Sequence, residues 1–509
     1  MSNFYLKSVS EQKDASFRRL SNYINEVIYP YHPYYRKLFK ENGITPADIR
    51  KPEDLKRIPV TYKDDYRPDP ISFICQPTFP GREPLYDTAR IGGKFIAKYV
   101  AQSILNRPRD YAATYRVNYK EGFKNLKVAR RVALEWNPIH FHASAGSTGD
   151  PTPAVYTYRD LHGPIKETAT SFWAGRDITW DTRALNLFPG APHMAFFQVV
   201  MGKWFGGASG FDTFGGNVIP TERQIQLFQE GGFGGLIAIP SYLVYWLRKA
   251  VEMVEKGEVE PLEKLFVAMV AAEPLTDQLR KYIKSLVLAA GGRDDFRLAQ
   301  GYGMTEMKIA FYECAERTNI HLNPKYFYWE MLDPDTLEPV GEGEPGVLTF
   351  SHIDWRGTAF LRYYTGDLIQ GGMKWERCPE CGLTYQIMRP PIMRAQKDFT
   401  KLKGTRVSLV ELISTVRDTP GVYQFQVTLD KEIPGDEFSR DKLAVRLVVE
   451  DGFEFDRVAA DVKKNVKGAT EVTPDEVLLE TDTEKLEAEL FEKTGIKAEY
   501  VVENRPVHL

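Results

Sequence analysis

The sequence predicts an α/β protein with a large N-terminal α/β domain, residues 1–395, and a small C-terminal α+β domain, residues 396–509. From about residue 155 to 370, short apolar runs bounded by Gly and Pro alternate with helix-like stretches, which is typical of buried strands connected by helices. After residue 396 single apolar residues alternate with polar ones, which favours half-buried strands. The length of 509 residues also exceeds that of one ordinary domain.

The N-terminal opening, residues 15–43, is predicted to be helical and rich in aromatic side chains. Pro30 and Pro33 are expected to interrupt it, because proline ends or kinks a helix. Buried strands are predicted at residues 235–240, 265–270 and 346–351. In the C-terminal domain, strands are predicted at residues 422–429 and 443–450, and amphipathic or surface helices at residues 456–467 and 483–494.

Composition limits the classes of function. Hydrophobic residues make up 43% of the chain and aromatic residues 13%, enough for a large core. The formal net charge of −3 argues against a nucleic-acid-binding protein, which usually carries a basic excess. The sequence has no uncharged apolar run of transmembrane length and no apolar signal-peptide core, so we expect no membrane association and a cytoplasmic location. Four cysteines are too few for a disulfide scaffold of this size.

Residues 144–152, Ser-Ala-Gly-Ser-Thr-Gly-Asp-Pro-Thr, form the most informative local segment. Glycine lets the backbone turn its N–H groups around an anion, and hydroxyl groups add further donors. The candidate anion-binding residues are Ser144, Ser147, Thr148 and Gly149. Taken alone, the segment is equally compatible with an ordinary surface turn. A P-loop kinase is poorly supported, because the spacing and the lysine of the Walker motif are absent.

Three further motifs follow in order: Ala272-Glu273-Pro274, Tyr302-Gly303-Met304-Thr305-Glu306, and Tyr-Tyr-Thr-Gly-Asp-Leu at residues 363–368. Together with the loop at residues 144–152, they resemble the motifs of the adenylate-forming superfamily, specifically its phenylacetate–CoA ligase-like branch. Residues 33–67 resemble the N-terminal region of that branch, so the resemblance covers nearly the whole chain. It implies an enzyme that activates a carboxylic acid with ATP and passes the acyl group to coenzyme A.

The resemblance also implies a role for each motif. Attack at the α-phosphorus builds negative charge, so the triphosphate needs hydrogen-bond donors and Mg²⁺. Thr305 would contact the α-phosphate, Glu306 would bind Mg²⁺, and Asp367 would accept both ribose hydroxyls. Outside this context, Glu306 would be interpreted as a solvated surface residue and Asp367 as a turn residue. The other implied ATP-binding residues are Ser144, Ser147, Thr148, Gly149, Ala272, Glu273, Pro274, Tyr302 and Gly303.

The carboxylic acid needs a pocket beside the α-phosphate. Residues 187–197 and 239–242 supply aromatic and apolar side chains at the corresponding family positions. For each single phenylalanine, core packing is the competing interpretation. The candidate pocket residues are His193, Phe196, Phe197, Ser241 and Tyr242.

The superfamily rotates its C-terminal domain between two half-reactions, so the small domain is expected to be mobile. In the matching hinge segment, Lys397 holds the hinge position. Alanine stands at position 395, where the family has a ribose-contacting arginine, so Arg394 is the candidate for that contact. The family also uses a lysine near the C-terminus to offset charge when carboxylate and α-phosphate meet. Lys497 is favoured for this role over Lys493.

Cys378 and Cys381 have the C-x-x-C spacing in which two thiolates of one turn bind one Zn²⁺ ion. Cys314 and His321 are the candidates for the other two ligands, since some members of the resembled branch place Cys and His there. A site with four protein ligands would be structural. Reduced cysteines without metal are the main alternative. A redox pair is less well supported, because no thioredoxin-like context surrounds it.

The leading hypothesis is an acid–CoA ligase that acts on an aromatic or aryl-acetic acid, since the resembled branch uses such acids. A first alternative keeps the adenylate but delivers the acyl group to an amine or a protein thiol. A second is an inactive nucleotide-binding homologue, although the presence of Glu306, Asp367 and a C-terminal lysine argues against it. Similar proteins are often homodimers, and the sequence leaves the oligomeric state open.

Overall fold

The computed structural model describes residues 3–79, 85–105, 126–143, 152–173, 181–190, 193–316, 318–394, 399–403, 405–434, 436, 439–492 and 498–505. Its α-helices are α1 Val9–Tyr23, α2 Tyr29–Tyr31, α3 Pro33–Glu41, α4 Lys63–Tyr66, α5 Gly93–Leu105, α6 Leu126–Trp136, α7 Tyr158–Asp160, α8 Lys166–Trp173, α9 Met194–Gly206, α10 Thr221–Glu230, α11 Pro240–Glu255, α12 Asp277–Ala289, α13 Leu409–Arg417, α14 Phe455–Thr470 and α15 Thr483–Phe491. Short 3₁₀ helices lie at Asn3–Leu6, Pro46–Asp48, Pro52–Arg57 and Pro70–Phe73, and π-helical turns at Ile24–Ile28 and Leu161–Ile165.

The strands are β1 Pro138–Ala143, β2 Pro153–Thr157, β3 Arg183–Asn186, β4 Ser209–Asp212, β5 Gly235–Ala238, β6 Val267–Val270, β7 Arg297–Met304, β8 Ile309–Tyr312, β9 Ile320–Leu322, β10 Phe327–Leu332, β11 Gly346–His352, β12 Tyr363–Ile369, β13 Met373–Arg377, β14 Thr384–Met388, β15 Ile392–Arg394, β16 Phe399–Leu402, β17 Thr405–Ser408, β18 Val422–Lys431, β19 Asp441–Val449, β20 Glu476–Leu479 and β21 Val501–Glu503. In the described part of the chain, no helix is both long and apolar enough to cross a membrane.

The N-terminal helices begin and end where local chemistry requires it. Helix α1 starts at a capping box, in which the Ser8 backbone N–H donates to the Glu11 carboxylate over 2.9 Å and the Glu11 N–H donates back to Ser8 Oγ. The chain leaves the helical conformation at His32, and Pro33 then opens α3 at a position where proline is tolerated. The interruption predicted at Pro33 is therefore confirmed, whereas Pro30 lies inside α2, directly after a π-helical turn, and does not end the helical run.

A six-stranded sheet of order β4-β3-β5-β6-β7-β8 forms the centre of the large N-terminal part. The first five strands are parallel, and β8 is antiparallel to β7. Every residue of β5 and β6 is buried, because helices α9 to α12 connect successive parallel strands and cover them. The predicted strands at residues 235–240 and 265–270 are confirmed.

A second sheet, of order β10-β11-β12-β15, is antiparallel and packs on an aromatic core that it shares with the N-terminal helices. Strand β11 is buried along its whole length, which confirms the strand predicted at residues 346–351. A small sheet of order β13-β14-β9 extends this region. The fold class predicted from sequence, a mixed α/β protein, is confirmed.

The C-terminal part contains a four-stranded sheet of order β20-β19-β18-β21, covered by helices α13 and α14. Its core is a separate hydrophobic cluster that starts at Leu402, whereas the second sheet of the N-terminal part ends at Arg394 in β15. The strands predicted at residues 422–429 and 443–450 and the helix at residues 456–467 are confirmed. The helix predicted at residues 483–494 is described as far as Phe491. The boundary between residues 395 and 396 stays a prediction, since both lie outside the described residues.

Candidate active site

The topology brings two of the predicted motifs to one edge of the large sheet. Strands β6 and β7 are parallel neighbours with Val270 opposite Gln300, and both run towards the same edge. Residues 272–274 follow β6, while Tyr302 lies two residues beyond Gln300. Crevices outside the carboxyl ends of parallel strands are the usual ligand sites of open α/β sheets. Gly303 is needed here, because an added Cβ would lie 2.8 Å from the Ala310 side chain on β8.

The third motif joins them through a direct hydrogen bond. Tyr302 Oη donates to Asp367 Oδ2 over 2.7 Å, and both residues are buried. The Asp367 N–H donates to Thr365 Oγ1 over 3.0 Å, and Gly366 takes the positive φ of 75° that this turn requires. Arg394 lies opposite Asp367 in the antiparallel pairing of β12 with β15. The candidate ribose acceptor and the candidate ribose-contacting arginine therefore occupy facing backbone positions.

Glu306 is a buried carboxylate with a cation beside it. Its exposed fraction is 3%, and its Oε1 lies 3.3 Å from the ammonium nitrogen of Lys63 in α4. Burial, together with the nearby Glu306 carboxylate, raises the pKa of Tyr363 well above its usual value. Magnesium is commonly bound through one or two carboxylates together with substrate phosphates, so Glu306 fits the predicted Mg²⁺ ligand.

The backbone on both sides of the predicted phosphate loop is fixed beside this site. Strands β1 and β2 pair with Ala143 opposite Pro153, so the segment between them leaves and returns at adjacent positions. His142 Nε2 lies 3.4 Å from the Thr305 carbonyl oxygen. Burial lowers the pKa of His142 to about 3, so this imidazole is neutral near pH 7 and contributes no charge. Residues 144–150, including Ser144, Ser147, Thr148 and Gly149, lie outside the described residues.

A buried lysine ties the turn at residues 305–308 to strand β2. Lys308 Nζ is fully buried, lies 3.8 Å from Asp160 Oδ2 and donates to the Val155 carbonyl oxygen over 3.3 Å. The Lys308 carbonyl oxygen accepts from Tyr156 Oη over 2.8 Å. Burial lowers the pKa of Lys308 to about 8. The network holds the turn of Glu306 in a fixed position relative to the strand that follows the loop.

The candidate pocket residues divide into two groups. His193 pairs with Ala143 at the end of β1, and the half-buried Phe197 ring lies 4.4 Å from that of His140, so both border the loop region. In contrast, Phe196 and Tyr242 are buried in the core of the large sheet. Tyr242 Oη hydrogen-bonds Thr221 Oγ1 over 2.9 Å, which fits core packing better than a pocket wall. Whether any of these residues contacts an acid stays a prediction.

Ser241 links the 272–274 motif to the C-terminal part. Its backbone N–H and its hydroxyl both donate to the Glu273 carboxylate over 2.9 Å. Its Oγ also accepts from the Ala498 N–H over 3.4 Å. Ala498 directly follows Lys497, so the chain re-enters the described structure beside the candidate nucleotide site. Lys397, Lys493 and Lys497 lie outside the described residues.

Three residues near Glu306 were not predicted from the sequence: Lys63, His142 and Tyr363. Lys63 is 243 positions from Glu306 in the chain, so no local pattern connects them. His142 lies just before the loop at residues 144–152, and Tyr363 is the first residue of the motif at residues 363–368. Their positions beside or within these segments were the sequence feature that could have indicated a role in the site.

The cluster Cys314, His321, Cys378 and Cys381 forms a second candidate site. All four potential ligand atoms lie within 4.8 Å of one another. Cys314 Sγ lies 3.6 Å from Cys378 Sγ, and Cys381 Sγ lies 3.8 Å from His321 Nε2. A tetrahedral zinc site with Zn–S bonds of about 2.3 Å has ligand–ligand distances of about 3.8 Å. His321 Nδ1 lies 2.9 Å from the Asn319 carbonyl oxygen, which orients the ring with Nε2 towards the cysteines.

The resemblance of the motifs implies that Asp367 holds the ribose of ATP. Replacing Tyr302 by phenylalanine is therefore expected to raise the KM for ATP about fivefold to tenfold, because the Asp367 carboxylate loses a hydrogen bond that orients it. Pyrophosphate exchange measured over a range of ATP concentrations tests this. Tyr364→Phe is the matched control, since Tyr364 lies on the same strand as Asp367 with its ring against Tyr62. An unchanged KM in the Tyr302 variant would remove this hydrogen bond from the nucleotide site.

Comparisons with known proteins agree with this geometry. Residues 110–357 match the protein family described as AMP-binding enzyme. The phenylacetate–coenzyme A ligase of Thermus thermophilus is 28% identical over 443 residues, covering 85% of this chain and 80% of that protein. The corresponding ligase of Escherichia coli is 25% identical and covers 71% of this chain and 68% of that protein. A crystal structure of 2-hydroxyisobutyryl-CoA ligase in the postadenylation state superposes with a TM-score of 0.71 at 16% identity, over 97% of this chain and 90% of that one.

Proposed function

Because the chain belongs to the adenylate-forming superfamily, in its phenylacetate–CoA ligase-like branch, we propose that it activates an aromatic or aryl-acetic acid with ATP and transfers the acyl group to coenzyme A. The products are the acyl-CoA thioester, AMP and pyrophosphate. The buried Glu306 lies in the turn that follows β7, the strand of Tyr302. The observation that carries this proposal is the hydrogen bond that joins two buried residues of separate motifs, Tyr302 and Asp367. These residues come from two different sheets, and ATP-dependent adenylation explains why they should meet.

In the first half-reaction, a carboxylate oxygen of the acid attacks the α-phosphorus of ATP and the bond to pyrophosphate breaks. Asp367, oriented by Tyr302, would hold the ribose hydroxyls and so fix the α-phosphorus relative to the acid. Glu306 would hold Mg²⁺, which neutralises charge on the phosphate oxygens when bound. Thr305 and the segment at residues 144–149 would donate hydrogen bonds to the phosphates.

In the second half-reaction, the thiolate of coenzyme A attacks the acyl carbonyl carbon, and the bond between that carbon and the phosphate oxygen of AMP breaks. The proton of the thiol is released to solvent, and AMP leaves with its negative charge. In this proposal the C-terminal domain rotates about Lys397 between the two steps, and Arg394 contacts the ribose. Lys497 would act only in the first step.

A panel of aryl, aryl-acetic and aliphatic acids tests the function through AMP release with and without coenzyme A. We expect an aryl or aryl-acetic acid to give the highest rate and coenzyme A to be required for turnover. AMP release that depends on an amine or a protein thiol instead would establish the alternative acceptor. If no acid supports AMP release or exchange of pyrophosphate into ATP, the chain is a nucleotide-binding homologue without this activity.

We further propose that Cys314, His321, Cys378 and Cys381 hold one structural Zn²⁺ ion. Their sulfur and nitrogen atoms are the ligands that zinc prefers, and their separations fit a tetrahedron. With four protein ligands, the site has no open position for catalysis. The ion would join the segment after β8 and strand β9 to the turn between β13 and β14.

Replacing Cys378 by serine is expected to lower the zinc content from about one ion per chain to nearly none, and to lower the melting temperature by several degrees. Elemental analysis of protein purified without added metal and a thermal melt measure both effects. Cys75→Ser is the matched control, because Cys75 is buried in the N-terminal aromatic core away from the cluster and should retain the zinc. Wild-type protein that contains no zinc, with Cys314, Cys378 and Cys381 reacting as free thiols, would contradict the proposal.

A cytoplasmic location completes the proposal, since ATP, coenzyme A and reduced cysteines coexist there. A homodimer is the assembly we propose, and light scattering of the purified protein distinguishes it from a monomer.

A further inference from the structure

One face of helix α11 contacts the C-terminal part. Ser241, Tyr245 and Arg248 lie at positions i, i+4 and i+7, so their side chains share this face. Ser241 contacts Ala498, whereas Tyr245 and Arg248 both contact helix α15. We call this set of three residues the α11 face.

Arg248 makes the most contacts. On its own side it donates from Nε to Tyr282 Oη over 2.9 Å. Across the interface it donates from Nη2 to the Tyr423 carbonyl oxygen, and its guanidinium carbon lies 4.0 Å from the centroid of the Tyr423 ring. Its Nη1 lies 3.6 Å from Glu487 Oε1 in α15. A guanidinium that is stacked, bonded to a carbonyl and paired with a carboxylate cannot be replaced by a lysine without loss.

The Arg248–Glu487 pair is largely shielded from solvent, with exposed side-chain fractions of 11% and 15%. Burial raises the pKa of Glu487, and the neighbouring arginine opposes this effect. Removing one partner of such a shielded ion pair is strongly destabilising, because the remaining charge is left without a compensating charge. If the C-terminal part moved away, water would reach both groups, so this interface is suited to opening and closing.

The other two residues of the α11 face connect this interface to the candidate nucleotide site. The Tyr245 ring lies 5.5 Å from that of Phe491, the last residue of α15. Ser241 Oγ accepts from the Ala498 N–H while its hydroxyl donates to Glu273. When the α11 face is in contact with the C-terminal part, Ala498 therefore lies beside the motif at residues 272–274.

We propose that the α11 face is the docking surface that holds the C-terminal domain in the arrangement for adenylation, and that Arg248 is its main positioning residue. This inference rests on the proposed function, because it assigns the observed arrangement to the first half-reaction. Arg248 touches no substrate in this account. It acts by holding the C-terminal domain on α11, where Ala498 contacts Ser241 beside the motif at residues 272–274, and its loss favours arrangements in which the C-terminal domain has left.

The test measures the two half-reactions separately in Arg248→Met, with phenylacetate as the probe acid. Phenylacetate-dependent exchange of pyrophosphate into ATP reports the first step. Formation of phenylacetyl-CoA from synthetic phenylacetyl-adenylate and coenzyme A reports the second. We expect the first rate to fall at least about tenfold and the second to be unchanged or higher, because only the first needs the docked arrangement.

Two further variants separate docking from folding. Glu487→Gln removes the charge on the opposite side of the interface and should shift the two rates in the same direction by about threefold. Arg248→Lys should restore part of the exchange rate. Arg223→Met is the matched control, since Arg223 on α10 pairs with Glu230 of its own helix and should leave both rates unchanged. Thermal melts establish that each variant is folded at the assay temperature.

Equal losses in both half-reactions, or no loss in either, would overturn the inference. A loss confined to the second half-reaction would also overturn it, because the docked arrangement would then serve thioester formation. Failure of the proposed function is a different result: wild-type protein would show no exchange with any acid of the panel, before any variant is compared.

Discussion

Replacing Lys497 by alanine is expected to lower the rate of acid-dependent pyrophosphate exchange by about a hundredfold to a thousandfold. When the acid carboxylate approaches the α-phosphate, two anionic groups meet, and a lysine ammonium offsets their repulsion most strongly in the transition state. The next residue, Ala498, donates its N–H to Ser241, which in turn bonds Glu273 of the nucleotide motif. Ala498, the residue after Lys497, therefore lies beside the candidate nucleotide site, where such a charge is needed.

The lysine prediction has two controls within the same region. Lys493→Ala tests the competing candidate and should retain most of the exchange activity. Lys485→Ala, an exposed position on α15, should retain all of it. Thioester formation from synthetic acyl-adenylate should also be unaffected in the Lys497 variant, since no new P–O bond forms in that step. Normal exchange in that variant would remove Lys497 from the mechanism.

Replacing Glu306 by glutamine is expected to lower exchange by about a hundredfold or more and to raise the Mg²⁺ concentration needed for half-maximal rate. Glutamine keeps the size of the side chain but removes the negative charge that fits a hard cation. The carboxylate is 3% exposed and pairs with Lys63, so its loss also leaves that ammonium without its partner. Exchange rates measured over a series of Mg²⁺ concentrations report both effects.

Glu344→Gln serves as the control for the carboxylate, because Glu344 caps its own exposed loop by accepting from the Gly341 N–H over 2.8 Å. It should keep wild-type exchange and wild-type magnesium dependence. If the Glu306 variant matched this control at every magnesium concentration, Glu306 would not be the metal ligand. A thermal melt of the Glu306 variant establishes that the measured rates come from folded protein.

Much of the fold could be predicted from sequence periodicity. Strands such as β5 and β6 are buried on both faces, so they appear as short continuous apolar runs bounded by Gly and Pro. Strand β19 alternates buried and partly exposed residues over most of its length, in the manner of a half-buried strand. Strand β18 departs from this pattern, since residues 424–427 are all buried. The interruption at Pro33 followed from the chemistry of proline.

Much of the candidate site could be predicted only through motifs, and the contacts between motifs could not. Asp367 and Tyr302 come from different sheets, and no sequence pattern specifies that their side chains meet. Lys63 lies within residues 33–67, which resemble the N-terminal region of the family branch, but no sequence pattern connects this lysine to Glu306. The backbone bridge between Thr61 and Tyr363 of β12 holds the segment of Lys63 beside that carboxylate. The same limit applies to Tyr242, whose burial in the core of the large sheet no sequence pattern showed.

A crystal structure of the protein with phenylacetyl-sulfamoyl adenosine, a stable analogue of the acyl-adenylate, tests the central claim most directly. We predict that both ribose hydroxyls lie about 3 Å from the Asp367 carboxylate, that the adenine lies between residues 272–274 and Tyr302, and that Glu306 faces the same cleft. An analogue bound elsewhere, or Glu306 and Asp367 facing different clefts in that complex, would contradict it.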